Sequence, residues 1–549
     1  MKGGGIGLAA GLFAAVAGVI VAAWAWLGMP VEMPQAPVGP GEKLHCISYA
    51  PFRGEQNPFG PDVPIDVRQI EEDLSQLKQV TNCIRTYSID HGLDQIPEVA
   101  GRHGLKVMQG LWLSSLPDLS RKQIEGAVAL AKRYPDVITA VVVGNEVLLR
   151  GEMSAPQLAR TIREVKAQVT VPVTYADVWE FWLRYREVAA AVDFVTVHIL
   201  PYWEDLPIPA ANAAPHVDAI RQQVAAAFPD KEVLIGEFGW PSAGRMREGA
   251  RPSPADQARV LHDVLALARQ RSYRVNVIEA YDQPWKRQLE GTVGGHWGLF
   301  DGSRRALKFE WGVAVSNHPA WRWQAVGGVA LAALVFVAGL VGGVRRQPAL
   351  RTLAMQAPAM QTWLAIGLSA AVSGTMIGWT IASIPLESLT VGDWMRSLAW
   401  GAVAIAAPVL CAMTVAAGVE VPSFARVLGR RADRVAGWLA ISLGLVLVAL
   451  TLLAVQAALG LVFDPRYRDF PFPALLAAAV PFLVRKTSWP RLRSLQPCAE
   501  TVAAATLALS AVYIVLNETL ANWQALWFAV GLLLLAVSLL PEQAAPDSK

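Results

Sequence analysis

Two glutamates stand where a purely structural chain has little use for a charge. The run "VITAVVVGNE" ends in Glu146, and "EVLIGEFGWP" carries Glu237; both runs are apolar and β-branched and read as buried strands. An ionised carboxylate is rarely left in such a place unless it is paired or put to use. Two carboxylates facing one gap can divide the work of breaking a glycosidic bond. One stays protonated and donates to the leaving oxygen, while the other stays ionised and attacks or stabilises the anomeric carbon. The elements around them must then hold the two groups across a space the size of a sugar.

Eight short runs of this kind recur between residues 44 and 285, at intervals of roughly thirty residues, and most segments between them read as amphipathic helices. "IDVRQIEEDLSQLKQV" and "SPADQARVLHDVLALARQ" are the clearest of those helices. The rhythm predicts an α/β fold, a (β/α)8 TIM barrel, with a doubly wound open sheet as the alternative. A barrel places its chemistry at the C-terminal strand ends, and the polar and aromatic residues gather there. In strand order they are Tyr49 and Phe52; Arg85 and Tyr87; Trp112; Asn145 and Glu146; Asp177 and Trp179; His198, Tyr202 and Trp203; Glu237 and Trp240; then Glu279, Tyr281, Asp282 and Trp285. Glu146 and Glu237 are three repeats apart, hence on strands four and seven. Arg85 reads as a neutralising partner for a carboxylate, a sugar contact, or both. His198 reads as a satisfied barrel histidine in preference to a catalyst. Asp177, Glu204, Glu279 and Asp282 read as supporting or rim groups, and Trp179, Trp182 and Trp203 divide between sugar platforms and packing.

The whole chain is too apolar for one ordinary soluble domain, with 53% hydrophobic and 17% charged residues over 549 positions. The excess is uneven. Residues 6–28 form an uncharged stretch long enough to span a bilayer and read as an uncleaved anchor. The proline-rich "PVEMPQAPVGPGE" follows and reads as an extended spacer leading away from the membrane. Further spans are expected at 324–344, 362–384, 398–419, 435–463, 470–484, 501–517 and 523–540, the 470–484 stretch being short. The domain plan is therefore an anchor at 1–28, a linker at 29–42, a barrel at 43–318 and an all-α multi-span region at 319–549. Basic clusters in "VRRQPALR", "RVLGRRADR" and "RKTSWPRLRS" occupy alternate loops, which puts them and both termini in the cytoplasm and the barrel outside.

A net charge of +3 gives no reason to expect nucleic acid as a partner. No metal and no cofactor is expected, since HExxH zinc spacing and a phosphate-binding Gly-Lys-Ser/Thr loop are both missing, and "GIGLAA" follows no strand. The chain contains no Asp-x-Asp pair of the kind a nucleotide-sugar polymerase uses, and its spans hold few ionisable residues. Cys46 and Cys83 can bridge if their strands are neighbours in an exported domain; free buried cysteines are the alternative.

The motifs "SYAPF", "IRTY", "VVVGNEVLL", "ILPYW", "IGEFGWPS" and "EAYDQPWK…E…HWGLF", in that order, resemble family 17 of the glycoside hydrolases. That family contains β-1,3-glucanases and β-1,3-glucan transglycosylases. The resemblance covers about residues 44–300. It implies Glu146 as general acid/base, Asn145 as its sugar-binding neighbour and Glu237 as nucleophile, with Tyr49, Arg85, Tyr202 and Trp240 in or near the cleft. Trp179 joins the substrate-binding set as a platform, and Lys286 and Glu290 match a polar pair near the nucleophile, with an insertion around "RQLEGTVGG" between the motifs. The whole chain is similar to bacterial multi-span membrane proteins of β-1,3/β-1,6-glucan synthesis. That implies a retaining enzyme at the cell membrane, facing the periplasm or exterior, with β-glucan, the lipid bilayer and a membrane glucan synthase as partners. The reading favours remodelling or branching of β-glucan. Plain endo-hydrolysis and a non-catalytic glucan sensor or transporter are its rivals.

Overall fold

The computed structural model describes residues 3–39, 41–60, 63–303, 305–345, 357–429, 437–486 and 498–540. Two compact units emerge, one holding Pro30–Gly244 and Gly249–Val315, the other built from the flanking apolar segments.

In the first unit eight parallel strands close into a barrel: β1 Cys46–Ser48, β2 Cys83–Arg85, β3 Lys106–Leu111, β4 Ile138–Asn145, β5 Val173–Val178, β6 Val195–His198, β7 Val233–Phe238 and β8 Val275–Val277. β8 returns to pair with β1, Cys46 standing opposite Asn276, so the sheet has no edge and the open-sheet alternative is excluded. Strands covered by helices outside and by packed side chains inside are buried on both faces, and the polar residues they carry, Thr174, Thr196 and Asn276 among them, are buried with them. The helices show the complementary pattern. Val67–Leu77 turns Ile70, Leu74 and Leu77 inward and is capped by Asp66, whose carboxylate accepts from the Arg68 amide at 2.9 Å. Pro254–Gln270 begins with proline in its first turn behind the Ser253 cap.

Cys46 and Cys83, on paired strands, form a disulfide with their Cα atoms 4.4 Å apart. The proline-rich segment does not run free as a spacer. Val31 and Val315 exchange backbone hydrogen bonds of 2.9 and 3.0 Å, and Val31 and Met33 pack on Ala255, Ala258 and Phe309. The Arg259 guanidinium donates to the Glu32 carbonyl at 2.8 Å. Two apolar side chains between the prolines found a greasy helix face, and burial outweighed extension.

The second unit is helical. Among the described residues six helices are long and apolar enough to cross a membrane: Gly7–Leu27, Trp321–Val344, Met360–Glu387, Val391–Ala417, Trp438–Phe463 and Ala499–Glu518. Phe472–Val484 and Trp523–Leu539 are shorter apolar helices. Val391–Ala417 starts a full two turns before the expected residue 398. Thr390 and Asp393 form a capping box, so a polar first turn precedes the apolar run. Most of the three basic clusters lies outside the described residues.

Candidate active site

The end of β4 is built to present a side chain. Register slips between Val142 and Asn145, Gly144 takes φ 86°, and Glu146 itself takes φ 53° while its amide donates to the Ala176 carbonyl at 2.8 Å. A non-glycine residue in the left-handed region is held at a cost of about 1–3 kcal/mol, so the surrounding structure must impose it. Across the barrel, β7 brings in Glu237, 5% exposed, directly opposite His198 of β6. Gly236 makes that approach feasible: a Cβ there would meet Thr196 Cγ2 at 2.3 Å and the His198 ring at 3.3 Å.

A carboxylate oxygen of Glu146, one of Glu237 and a ring nitrogen of His198 lie within 4.8 Å of one another. Arg85, fully buried on β2, ties the group together. Its Nη1 donates to Glu237 Oε1 at 3.0 Å and to the Gly236 carbonyl at 2.8 Å, and its Nη2 donates to Asn145 Oδ1 at 2.5 Å. The Tyr87 hydroxyl lies 2.9 Å from the same Glu237 oxygen and 2.8 Å from Ser48 Oγ, which also accepts from Asn276 Nδ2. His198 Nδ1 donates to Glu146 Oε1 at 2.9 Å. Three ligand-type atoms at this separation are spaced as a metal site would be, but the Arg85 guanidinium already occupies their company and opposes a second cation.

Burial works to raise the Glu146 carboxyl. The hydrogen bond to His198 opposes it, and together with the charges around the carboxyl, Arg150 and Arg85 among them, holds Glu146 below the usual carboxylate range. Burial and the neighbouring Glu237 charge push the Tyr87 hydroxyl well up, so it remains a donor. Burial pushes Asp177 up to about 6, with the Glu146 charge adding to the effect. Burial likewise pushes Glu279 up to about 7 against the pull of Lys286, whose Nζ donates to both carboxylate oxygens at 3.0 Å. Between its ordinary 4.5 and about 7 the folded chain keeps a proton on Glu279 that the unfolded chain releases. Stability from this group is therefore full below about pH 4.5 and declines as pH rises toward 7, by on the order of 3 kcal/mol. Thermal melts at pH 5 and pH 8 are expected to show a larger loss for the wild type than for Glu279→Gln.

The other residues singled out above take varied places. Tyr49 is buried with its hydroxyl on Asp73 Oδ2 at 2.9 Å, away from the carboxylate pair. Tyr202 packs edge-on against Trp203, Trp240 and Trp297. Trp240 is fully buried, its Nε1 donating to the Arg251 carbonyl at 2.9 Å. Trp179 is half-buried, with Nε1 3.3 Å from both Glu204 oxygens. Burial raises Glu290, Lys286 opposes, and Glu146 and Glu237 add to the rise. Glu146, Glu237, Arg85 and Asn145 thus meet directly. Tyr49, Tyr202, Trp240 and Trp179 have other partners. Half-buried aromatics rim the same end: Trp112 lies beneath the Arg150 guanidinium at 4.1 Å, and Trp203 stacks on Trp297 within 13° of parallel. Sequence reasoning gave no role to Tyr87, Ser48 or Asn276. Tyr87 had a signal, standing two residues after Arg85 and hence on the same face of one extended segment.

Residues 46–298 match the BtgE/BtgC glycoside hydrolase domain. The chain is 28% identical over 265 residues to a glucan 1,3-beta-glucosidase of Arthroderma benhamiae, covering 44% of this chain and 83% of that protein. It is 27% identical over 266 residues to a glucan 1,3-beta-glucosidase of Candida albicans, covering 44% and 86%. Among solved structures it is similar to an active-site mutant of Rhizomucor miehei beta-1,3-glucanosyltransferase in complex with laminaritriose, at 27% identity, 50% of this chain, 99% of that chain and a TM-score of 0.44. These matches leave the helical unit unaccounted for.

Proposed function

Because the chain carries a BtgE/BtgC-type glycoside hydrolase domain over residues 46–298, we propose that its barrel cleaves β-1,3-linked glucan by retaining double displacement. The observation that carries the reading is the meeting of Glu146 and Glu237 oxygens within 4.8 Å. Retaining enzymes hold their carboxyl groups about 5–5.5 Å apart, whereas inverting enzymes leave room for a water. Both donors to Glu237 engage Oε1, and Oε2 is the attacking oxygen. It bonds to the anomeric carbon as Glu146 passes its proton to the leaving sugar oxygen. Glu146 then takes a proton from the incoming acceptor, whose oxygen displaces Glu237. Asn145, fixed by Arg85, is placed to bind the sugar beside the bond. Glu146 is held low, so the fraction carrying the acid proton grows as pH falls, and kcat/KM peaks on the acid side of neutrality.

Water as acceptor gives hydrolysis, and a glucan hydroxyl gives transfer. Eight apolar helices favour transfer coupled to glucan export, since a degrading enzyme gains little from them. The plan is an anchor at 1–28, a linker at 29–42, the barrel at 43–318 on the outer face of the cell membrane, and spans from 319 onward, working beside a glucan synthase. The Cys46–Cys83 bridge supports an oxidising compartment for the barrel. Laminari-oligosaccharides incubated with the full chain in detergent test the reading. Longer or branched products are expected; shorter products alone establish hydrolysis, and unchanged substrate overturns the enzyme.

A further inference from the structure

His198 belongs to neither half of the displacement, yet it touches both. It ends β6, is fully buried, and stands opposite Glu237 in the β6–β7 register. Nδ1 lies 2.9 Å from Glu146 Oε1, while Nε2 lies 3.4 Å from Arg85 Nη1 and 3.6 Å from Glu237 Oε1. The Glu146 carboxylate accepts, so the proton of that contact is carried by Nδ1, and Nε2 faces the Arg85–Glu237 pair.

We propose that His198 is a positioning residue that links the two carboxylates, its Nδ1–H holding Glu146 in place while Nε2 faces the Arg85–Glu237 pair. The inference rests on the retaining reading above and assigns a further residue to it. The backbone observation points the same way. Glu146 sits in the left-handed region, and the His198 bond fixes where its side chain ends. The charged groups around the ring are Glu146 from β4, Glu237 from β7, Arg85 from β2 and Asp177 from β5. Two of the four change charge during the cycle. When Glu237 becomes the glycosyl ester it loses its negative charge, and the ring then faces Arg85 alone on its Nε2 side. The Nδ1–H remains aimed at Glu146 during the step in which Glu146 must accept a proton.

Two variants separate this role from simple packing. Asparagine puts an amide nitrogen near the position of Nδ1, and glutamine puts one near Nε2. His198→Asn is expected to leave the basic limb of the kcat/KM pH profile on laminari-oligosaccharides where the wild type has it. His198→Gln, losing the Glu146 contact, is expected to move that limb upward by about one pH unit, because the strongest influence opposing burial at Glu146 is removed and only Arg150 and Arg85 remain. Infrared titration of the Glu146 carboxyl, assigned by difference against Glu146→Gln, reads the same shift without turnover. A limb and titration unmoved in His198→Gln, or moved equally in both variants, overturns the proposal. A wild type that leaves substrate unchanged overturns the glycosidase reading instead, while the titration still decides the role of His198.

Discussion

Glu237→Gln is expected to lower kcat/KM on laminari-oligosaccharides by roughly 10⁴-fold or more, since it deletes the atom that forms the covalent bond. The amide keeps a carbonyl oxygen to accept from Arg85 and Tyr87, so the cage around it is preserved. The size of the loss distinguishes the covalent role from a charge that merely helps. Removing an electrostatic helper costs about 10²–10³. A residual rate within tenfold of the wild type would mean that Glu237 holds Arg85 and does not attack. Product sizes measured alongside the rate keep hydrolysis and transfer apart.

Arg85→Met is expected to cost about 3–5 kcal/mol of barrel stability, the penalty for leaving the partner of a buried charge uncompensated. The guanidinium is fully buried and holds Glu237, Gly236 and Asn145 at once from a single planar fork. Its loss strands a carboxylate that is 5% exposed and releases the asparagine beside Glu146. Arg85→Lys restores the charge but not the fork, and is expected to recover stability in part and activity poorly. Thermal melts of the full chain with parallel rate measurements check both; equal recovery by lysine would reduce Arg85 to a point charge.

The barrel was legible because eight apolar, β-branched runs spaced by amphipathic helices favour it, and only the pairing of β8 with β1 removes the open sheet that the same pattern allows. The carboxylate pair was legible because a charge at the end of such a run is costly unless it faces a cleft. The partners of His198 were not, because a buried histidine at a strand end looks the same in sequence whatever its ring nitrogens face. Tyr49 and Trp240 have the residue types of sugar contacts, yet helix 67–77 and the Arg251 carbonyl take up their polar atoms. The cysteine bridge needed β1 beside β2 in a register that sets Cys46 level with Cys83, which spacing along the chain does not state. Residue 398 was set by hydropathy alone, and the cap at Thr390 extended that helix through polar residues.

Val31 and Val315 each donate their amide N–H to the other's carbonyl. The two ends of the barrel unit are thereby stitched side by side, so that the residues between them, other than 245–248, form one cassette closed at its ends as well as around its sheet. A different fold whose ends lie equally close would fit the same two junctions.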